Sequence, residues 1–164
     1  MSGLECLGPI KSKQGGCDRG GCVERQGGTQ KLGKIKILLA DDNSAILKRV
    51  AQTIGTEFEV VAAVNEGSSA FRECQRLKPD VVVLDISMGE PSGIDVARQL
   101  RDSGSLSKVV FLTVHEDPDF VSAALGVGGM AYVLKSRLSA DLLSAIRAAL
   151  SGEVFVSPTL TWGD

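Results

Sequence analysis

Residues 81–85, Val-Val-Val-Leu-Asp, decide the fold that this sequence predicts. Four consecutive apolar residues, three of them β-branched, favour a strand that is covered on both faces, as the strands of parallel sheets are. The apolar run from Ile35 to Ala40 is also short and rich in branched aliphatic residues, and it stops at Asp41 and Asp42. The two runs together predict a buried parallel sheet with acidic residues at one edge.

Apolar runs alternate with amphipathic segments from residue 34 to residue 153. Three further runs predict strands at residues 58–64, 109–112 and 131–134. Between the strands, apolar residues recur every three or four positions, which is the period of a helix with one buried face. Five βα units in a row predict an α/β fold with helices on both faces of the sheet. Because such crossovers are right-handed, we expect a flavodoxin-like, doubly wound, five-stranded parallel sheet in the order 2-1-3-4-5.

The two ends of the chain differ in composition from this central part. Residues 1–33 are dominated by Gly, Lys, Gln and Arg without a sustained apolar period, which predicts a flexible Gly-rich tail. The same segment could instead be an extension from a start codon chosen too early. Residues 154–164 are too few for a further domain, and Ser157-Pro158 is typical of a linker. We therefore expect one folded domain at 34–153, followed by the start of a linker or a C-terminal tail.

Composition argues against several classes of protein. A net charge of −2 disfavours binding to nucleic acid through a general basic surface. No apolar stretch reaches the roughly 18 residues that a membrane span needs, and a signal-peptide core is lacking, so we expect a cytoplasmic protein without membrane contact. Cys6, Cys17, Cys22 and Cys74 are then expected to be reduced thiols, because Cys17 and Cys22 have neither the spacing nor the nearby His of a zinc site.

Residues that can carry chemistry follow four of the predicted strands. Asp41 and Asp42 follow the first strand, Asp85 ends the third, and Thr113 and Lys135 follow the fourth and fifth. Ligands of such sheets bind at the carboxyl ends of the strands. Any one of these residues has an ordinary explanation as a cap, a turn or a solvated side chain. Their joint occurrence at one edge predicts a functional site.

Each residue type at this edge has a use in phosphoryl chemistry. Clustered carboxylates repel one another unless a cation joins them, and hard oxygen ligands suit Mg²⁺. A carboxylate can also act as a nucleophile and form an aspartyl phosphate. A Thr hydroxyl and a Lys ammonium can bind phosphoryl oxygens.

Four segments resemble the signature segments of bacterial two-component response regulator receiver domains. They are Ala40–Asn43, Val83–Met88, Leu112–Asp117 and Tyr132–Lys135, and they occur in the family's order within residues 35–157. The last two are similar to the subfamily that carries a C-terminal helix-turn-helix (LuxR-type) DNA-binding domain. The resemblance implies a phosphorelay receiver that takes a phosphoryl group from a sensor histidine kinase.

The resemblance also implies a role for each acidic residue. Asp85 would be the phosphoacceptor. The cofactor Mg²⁺ would be held by Asp42, by the Asp85 carboxylate and by the backbone carbonyl of Ser87, with Asp41 acting through a water molecule.

The resemblance implies a switch as well. Lys135 would bind a phosphoryl oxygen, the Thr113 hydroxyl would move toward the phosphoryl group, and the Tyr132 ring would turn inward. The face formed by helix 4, strand 5 and helix 5 would then change, which makes it the expected partner or homodimer surface.

The sequence departs from the family pattern at several loop positions. Gly89 stands where the family often has Pro, and Pro91 follows instead. Ser136 stands where Pro commonly follows the active-site Lys, which leaves the isomer of that peptide bond open. Val114 is larger than the residue usually found there, and His115 is expected to be a loop residue that modulates the lifetime of the phosphoryl group.

Three competing functions fit less well. An aspartyl phosphatase of the haloacid-dehalogenase type needs a second acid where Ser87 stands. A dinucleotide-binding enzyme needs a Gly-rich turn after the first strand, where the acid pair would repel a pyrophosphate. A degenerate receiver, which no longer accepts a phosphoryl group, would lack some of the site residues, whereas this sequence has the acids, Thr113 and Lys135. We therefore expect that the chain is not an enzyme, apart from catalysing its own phosphorylation and dephosphorylation. We also expect that this chain does not bind DNA directly. Output through a missing DNA-binding domain and output by protein contact alone both stay open.

Overall fold

The computed structural model describes residues 34–55, 57–158 and 160, so residues 1–33 and the tail predicted for them lie outside the described part. Strands and helices alternate along it. The strands are β1 (Lys36–Ala40), β2 (Glu59–Val64), β3 (Val81–Asp85), β4 (Lys108–Thr113), β5 (Ala131–Leu134) and β6 (Phe155–Val156). The helices are α1 (Ser44–Ile54), α2 (Gly67–Leu77), α3 (Gly93–Asp102), α4 (Pro118–Gly126) and α5 (Leu138–Leu150), and a turn of 3-10 helix at Lys135–Arg137 joins β5 to α5.

The strands form one parallel sheet in the order β2-β1-β3-β4-β5-β6. The predicted order 2-1-3-4-5 is confirmed, but the sheet has six strands rather than five. The additional strand, β6, places Phe155 opposite Ala131 and Val156 opposite Tyr132. It lies beyond residue 153, the predicted end of the folded domain. Two residues are too few to show a strand period in the sequence, which is why the pattern missed β6.

The sheet separates two apolar cores, because successive side chains of a strand point to opposite faces. Val82 and Leu84 of β3 face a core formed with α2, α3 and α4, which we call the α2–α3–α4 core. Val81 and Val83 face a core formed with α1 and α5, which we call the α1–α5 core. The doubly wound arrangement is thereby confirmed. None of the helices in the described residues has the length and apolar composition that crossing a membrane requires.

Side chains in the loops after β1 and β3 cap the next helices. Asn43 caps α1 by accepting hydrogen bonds from the backbone N–H groups of Ala45 and Ile46. Ser92 caps α3 in a reciprocal capping box with Asp95. These caps fix where α1 and α3 begin, so that the loop after β1 has three residues and the loop after β3 has seven.

Cys74 is a free, buried thiol of α2. Burial raises the pKa of this thiol to about 12, so it is protonated and unreactive at neutral pH. The other three cysteines lie outside the described residues.

Candidate functional site

Three carboxylates meet at the carboxyl edge of the sheet. Asp41 and Asp42 follow β1, Asp85 ends β3, and one ligand atom from each lies within 4.8 Å of the other two. Asp41 and Asp85 are 2% and 3% exposed, whereas Asp42 is open to solvent. The strands that the sequence predicted to end in acids thus bring those acids together, because β1 and β3 are neighbours in the sheet.

Lys135 inserts its ammonium among these acids. Its Nζ lies 2.8 Å from Asp41 Oδ2 and 3.3 Å from Asp85 Oδ2. Burial by itself lowers the pKa of Lys135, but the two nearby carboxylates, Asp41 more than Asp85, outweigh it and leave the pKa raised. Burial also raises the pKa of Asp41, against the opposing effect of Lys135. One partly buried cation therefore faces a cluster of three acids.

The donor set suits a divalent cation. Asp41 Oδ2 is buried and makes no hydrogen bond of good geometry among the described residues, although Lys135 Nζ is close to it. The other oxygens of Asp41 and Asp85 accept backbone N–H groups from Asn43 at 2.8 Å and Ser87 at 3.2 Å, which fixes both carboxylates. Hard, fixed carboxylate oxygens with one acid open to solvent are ligands that Mg²⁺ prefers. The residues present fit the predicted metal.

Thr113 and Tyr132 lie on the neighbouring strands β4 and β5, two positions out of register, because Tyr132 is opposite Phe111. Both side chains are fully buried. The Thr113 hydroxyl accepts a hydrogen bond from the backbone N–H of His115 at 3.2 Å. The Tyr132 hydroxyl donates to the carbonyl of His115 at 2.8 Å. Burial raises the pKa of Tyr132 to about 12, so the phenol is neutral at physiological pH. The structure therefore places the Tyr132 ring in the inward position.

His115 connects two loops of the site. Its Nε2 lies 2.6 Å from the hydroxyl of Ser87, in the loop after Asp85. Its ring stacks on Phe120 of α4, with ring centroids 4.1 Å apart and planes at 11°. The sequence predicted that His115 lies in a loop, and it gave no sign of these contacts. Ser87 and His115 are 28 positions apart, and no local pattern links them.

The family model of the response regulator receiver domain matches residues 37–147, more than half of the chain. The chain belongs to the response regulator receiver domain family. The matched range includes every predicted site residue, from Asp41 to Lys135. The predicted resemblance is confirmed at the level of the family.

The relatives of this receiver domain include two named regulatory proteins. It is 30% identical over 130 residues to the transcriptional regulatory protein DegU of Brevibacillus brevis, covering 78% of this chain and 55% of DegU. It is 33% identical over 131 residues to the oxygen regulatory protein NreC of Staphylococcus aureus strain JH9, covering 77% of this chain and 60% of NreC. This chain therefore spans little more than half the length of these two relatives.

Two solved structures of LuxR-family regulators are similar to this receiver domain. A LuxR-family two-component response regulator from Aurantimonas sp. SI85-9A1 superposes with a TM-score of 0.74 at 29% identity, covering 78% of this chain and 93% of the other. A LuxR-family DNA-binding response regulator from Staphylococcus aureus superposes with a TM-score of 0.67 at 27% identity, covering 71% and 98% of the two chains.

The loops of this receiver domain settle two points that the sequence left open. Gly89 has a φ of +90°, a conformation that suits Gly better than other residues, and the following Glu90–Pro91 peptide bond is cis. The bond between Lys135 and Ser136 is trans, since Glu90–Pro91 is the cis bond among the described residues. Lys135 instead begins the 3-10 turn before α5.

Proposed function

We propose that this receiver domain accepts a phosphoryl group from a sensor histidine kinase on Asp85, in a Mg²⁺-dependent reaction. The observation that carries the proposal is the position of Asp85 at the end of β3, where its carboxylate lies 3.3 Å from Lys135 and within 4.8 Å of Asp41 and Asp42. A buried nucleophile beside a fixed cation and a metal-binding cluster is the arrangement that phosphoryl transfer needs.

In the proposed reaction a carboxylate oxygen of Asp85 attacks the phosphorus atom. A new O–P bond forms, the bond from phosphorus to the donor histidine breaks, and its electron pair stays on the departing imidazole nitrogen. Lys135 neutralises charge on a phosphoryl oxygen. Mg²⁺ held by Asp42, Asp85 and the Ser87 carbonyl, with Asp41 acting through water, would supply further positive charge to that group. Catalysis is limited to the domain's own phosphorylation and dephosphorylation.

The test is the intact mass of the chain after incubation with Mg²⁺ and acetyl phosphate. We expect the gain of one phosphoryl group that is lost in base, as acyl phosphates are. A chain that gains no phosphoryl group under these conditions would refute the proposal.

The metal ligands can be tested by paired substitutions. Asp42→Ala should weaken Mg²⁺ binding by at least about tenfold, because removing even a residue that only supports a metal ligand typically costs ten- to a hundredfold. Asp41→Ala should weaken it less, since Asp41 would act through water and already faces Lys135. Titration with Mg²⁺, followed by the thermal stability of the domain, measures both affinities. Equal affinities in the parent and both variants would remove Asp42 from the proposed ligands.

Thr113 and Tyr132 are proposed to carry the signal from the site to the face of α4, β5 and α5. The phosphoryl group adds about −1.5 to −2 charge at Asp85, and the Thr113 hydroxyl turns toward it and gives up its hydrogen bond from His115. The Tyr132 hydroxyl also contacts His115, so the movement of Thr113 acts on the Tyr132 ring through His115. It stabilises the ring in its inward position and repacks α4.

Thr113→Val should separate phosphorylation from this response. Val has nearly the same shape but no hydroxyl, so Asp85 should still gain the phosphoryl group while the response of α4 and α5 is lost. Hydrogen exchange across residues 116–150, with and without the phosphoryl mimic BeF₃⁻, provides the measurement. A full exchange response in Thr113→Val would show that Thr113 does not carry the signal.

The output is proposed to be control of transcription through a DNA-binding domain outside this chain. The support is that DegU is named a transcriptional regulator and that the superposed protein from Staphylococcus aureus is named a DNA-binding regulator. In this proposal residues 34–153, extended by β6, form the receiver domain. The receiver itself contacts its kinase, and a second copy through α4, β5 and α5, rather than DNA. Output by protein contact alone is the alternative.

A further inference from the structure

The segment that follows α5 lies along the outer side of β5. The Phe155 N–H donates to the Met130 carbonyl at 3.0 Å, and the Ser157 N–H donates to the Tyr132 carbonyl at 2.9 Å. Val156 and Leu160 pack against the α2–α3–α4 core, which contains the Tyr132 ring. We call residues 155–158 the β6 segment. It occupies the side of β5 that would otherwise be the edge of the sheet.

The Ser157 hydroxyl anchors the β6 segment from a fully buried position. It accepts a hydrogen bond from the Leu134 N–H at 3.1 Å and donates one to Asp141 Oδ2 at 2.9 Å. Arg137 holds the same carboxylate through Nε at 2.6 Å and Nη2 at 3.1 Å. One hydroxyl thus ties together the end of β5, the first turn of α5 and the β6 segment. A buried polar group with every partner satisfied specifies its geometry strongly.

This anchor adjoins the candidate site through the backbone. Leu134 immediately precedes Lys135, whose ammonium is shared between Asp41 and Asp85. Lys135 and Arg137 belong to the same 3-10 turn, so a shift of that turn reaches Ser157 through both Leu134 and Asp141. A new negative group on Asp85 would attract Lys135 away from Asp41 and would move the turn.

We propose that the β6 segment is a latch on β5 that phosphorylation of Asp85 loosens. The shift of Lys135 stretches the hydrogen bond from the Leu134 N–H to Ser157, and the segment leaves β5. This inference rests on the proposed phosphorylation of Asp85. Release uncovers the carbonyls of Met130 and Tyr132 and leaves β5 at the edge of the sheet. Before release, the occupant of that surface is this chain's own β6 segment.

Amide hydrogen exchange of Phe155 and Ser157, resolved by NMR, tests the latch in the parent chain. With Mg²⁺ and BeF₃⁻, both amides should exchange faster by a factor of at least about five, the factor expected from the loss of one net hydrogen bond. Unchanged or slower exchange would overturn the proposal. Intact mass after incubation with acetyl phosphate is measured in parallel. A chain without a phosphoryl group contradicts the proposed function, whereas a phosphorylated chain with unchanged exchange at these amides contradicts only the latch.

Ser157→Ala tests whether Ser157 couples the β6 segment to the site or only holds the segment on β5. The variant should show the faster exchange already without BeF₃⁻ and no further increase with it, while gaining the phosphoryl group as the parent does. Ser144→Ala is the matched control, because Ser144 is an exposed serine of α5 and should leave the parent response intact. A Ser157→Ala variant that keeps the full response to BeF₃⁻ would show that Ser157 does not couple the segment to the site. The parent measurement decides the proposal even if this variant does not fold.

Discussion

Asp85→Asn is expected to abolish the gain of a phosphoryl group from acetyl phosphate. The amide has nearly the shape of the carboxylate but is a poor nucleophile, so no acyl phosphate can form. The fold should be retained, because the Asn oxygen can still accept the hydrogen bond that Asp85 takes from the Ser87 N–H. Intact-mass measurement after incubation with Mg²⁺ and acetyl phosphate gives the labelled fraction directly.

Asp102→Asn is the control for the loss of a carboxylate as such. Asp102 ends α3 with a side chain that is 64% exposed, and it lies outside the acidic cluster. Its replacement should leave labelling at the parent level. Undiminished labelling of Asp85→Asn, or an equal loss in both variants, would show that Asp85 is not the phosphoacceptor.

Gly93→Ala should lower the free energy of unfolding by about 3 kcal/mol, at the upper end of what overpacking costs. An added Cβ at Gly93 would lie 2.2 Å from the carbonyl oxygen of Asp85 and 2.9 Å from the Cα of Ile86. These are backbone atoms, so neither can rotate away, and α3 has to move off the end of β3. Because the same atoms position the Asp85 carboxylate, labelling should fall as well. Denaturant unfolding measures the stability.

Gly126→Ala provides the matched control in another helix. Gly126 ends α4, and a Cβ there would meet nothing within 4 Å. Ala restricts the unfolded chain and favours the helix, so this variant should be more stable than the parent by about 0.5–1 kcal/mol. Equal stability of the two variants would show that the close approach of α3 to Asp85 does not constrain residue 93.

The sequence predicted the strands and the convergence of the acids because both depend on patterns that are local to each strand, and the right-handed crossovers of βα units then gave the strand order. A run such as Val81 to Leu84 predicts a buried strand by itself, and the carboxyl ends of parallel strands must share an edge. Contacts between distant side chains have no such local pattern. The pairing of Ser87 with His115 and the burial of Ser157 beside Asp141 depend on how loops meet after folding.

Lys135 illustrates the same limit within the candidate site. The resemblance implied that this ammonium binds a phosphoryl oxygen, and its position at the end of β5 predicted that it would reach the acids. Its nearest partner is nevertheless Asp41, at 2.8 Å, rather than Asp85, at 3.3 Å. The choice depends on rotamers and on the burial of both carboxylates, which only the assembled fold defines.

The division of the interior into an α2–α3–α4 core and an α1–α5 core has a consequence for how this domain tolerates change. Substitutions that share no contacts usually have additive effects on stability, whereas neighbours in one core are coupled. A change in Val50 of α1 and a change in Val121 of α4 should therefore be nearly independent, since the sheet lies between them. Evolution can then change the residues with which α1 and α5 pack on the sheet without disturbing the packing of α2, α3 and α4 on the opposite face.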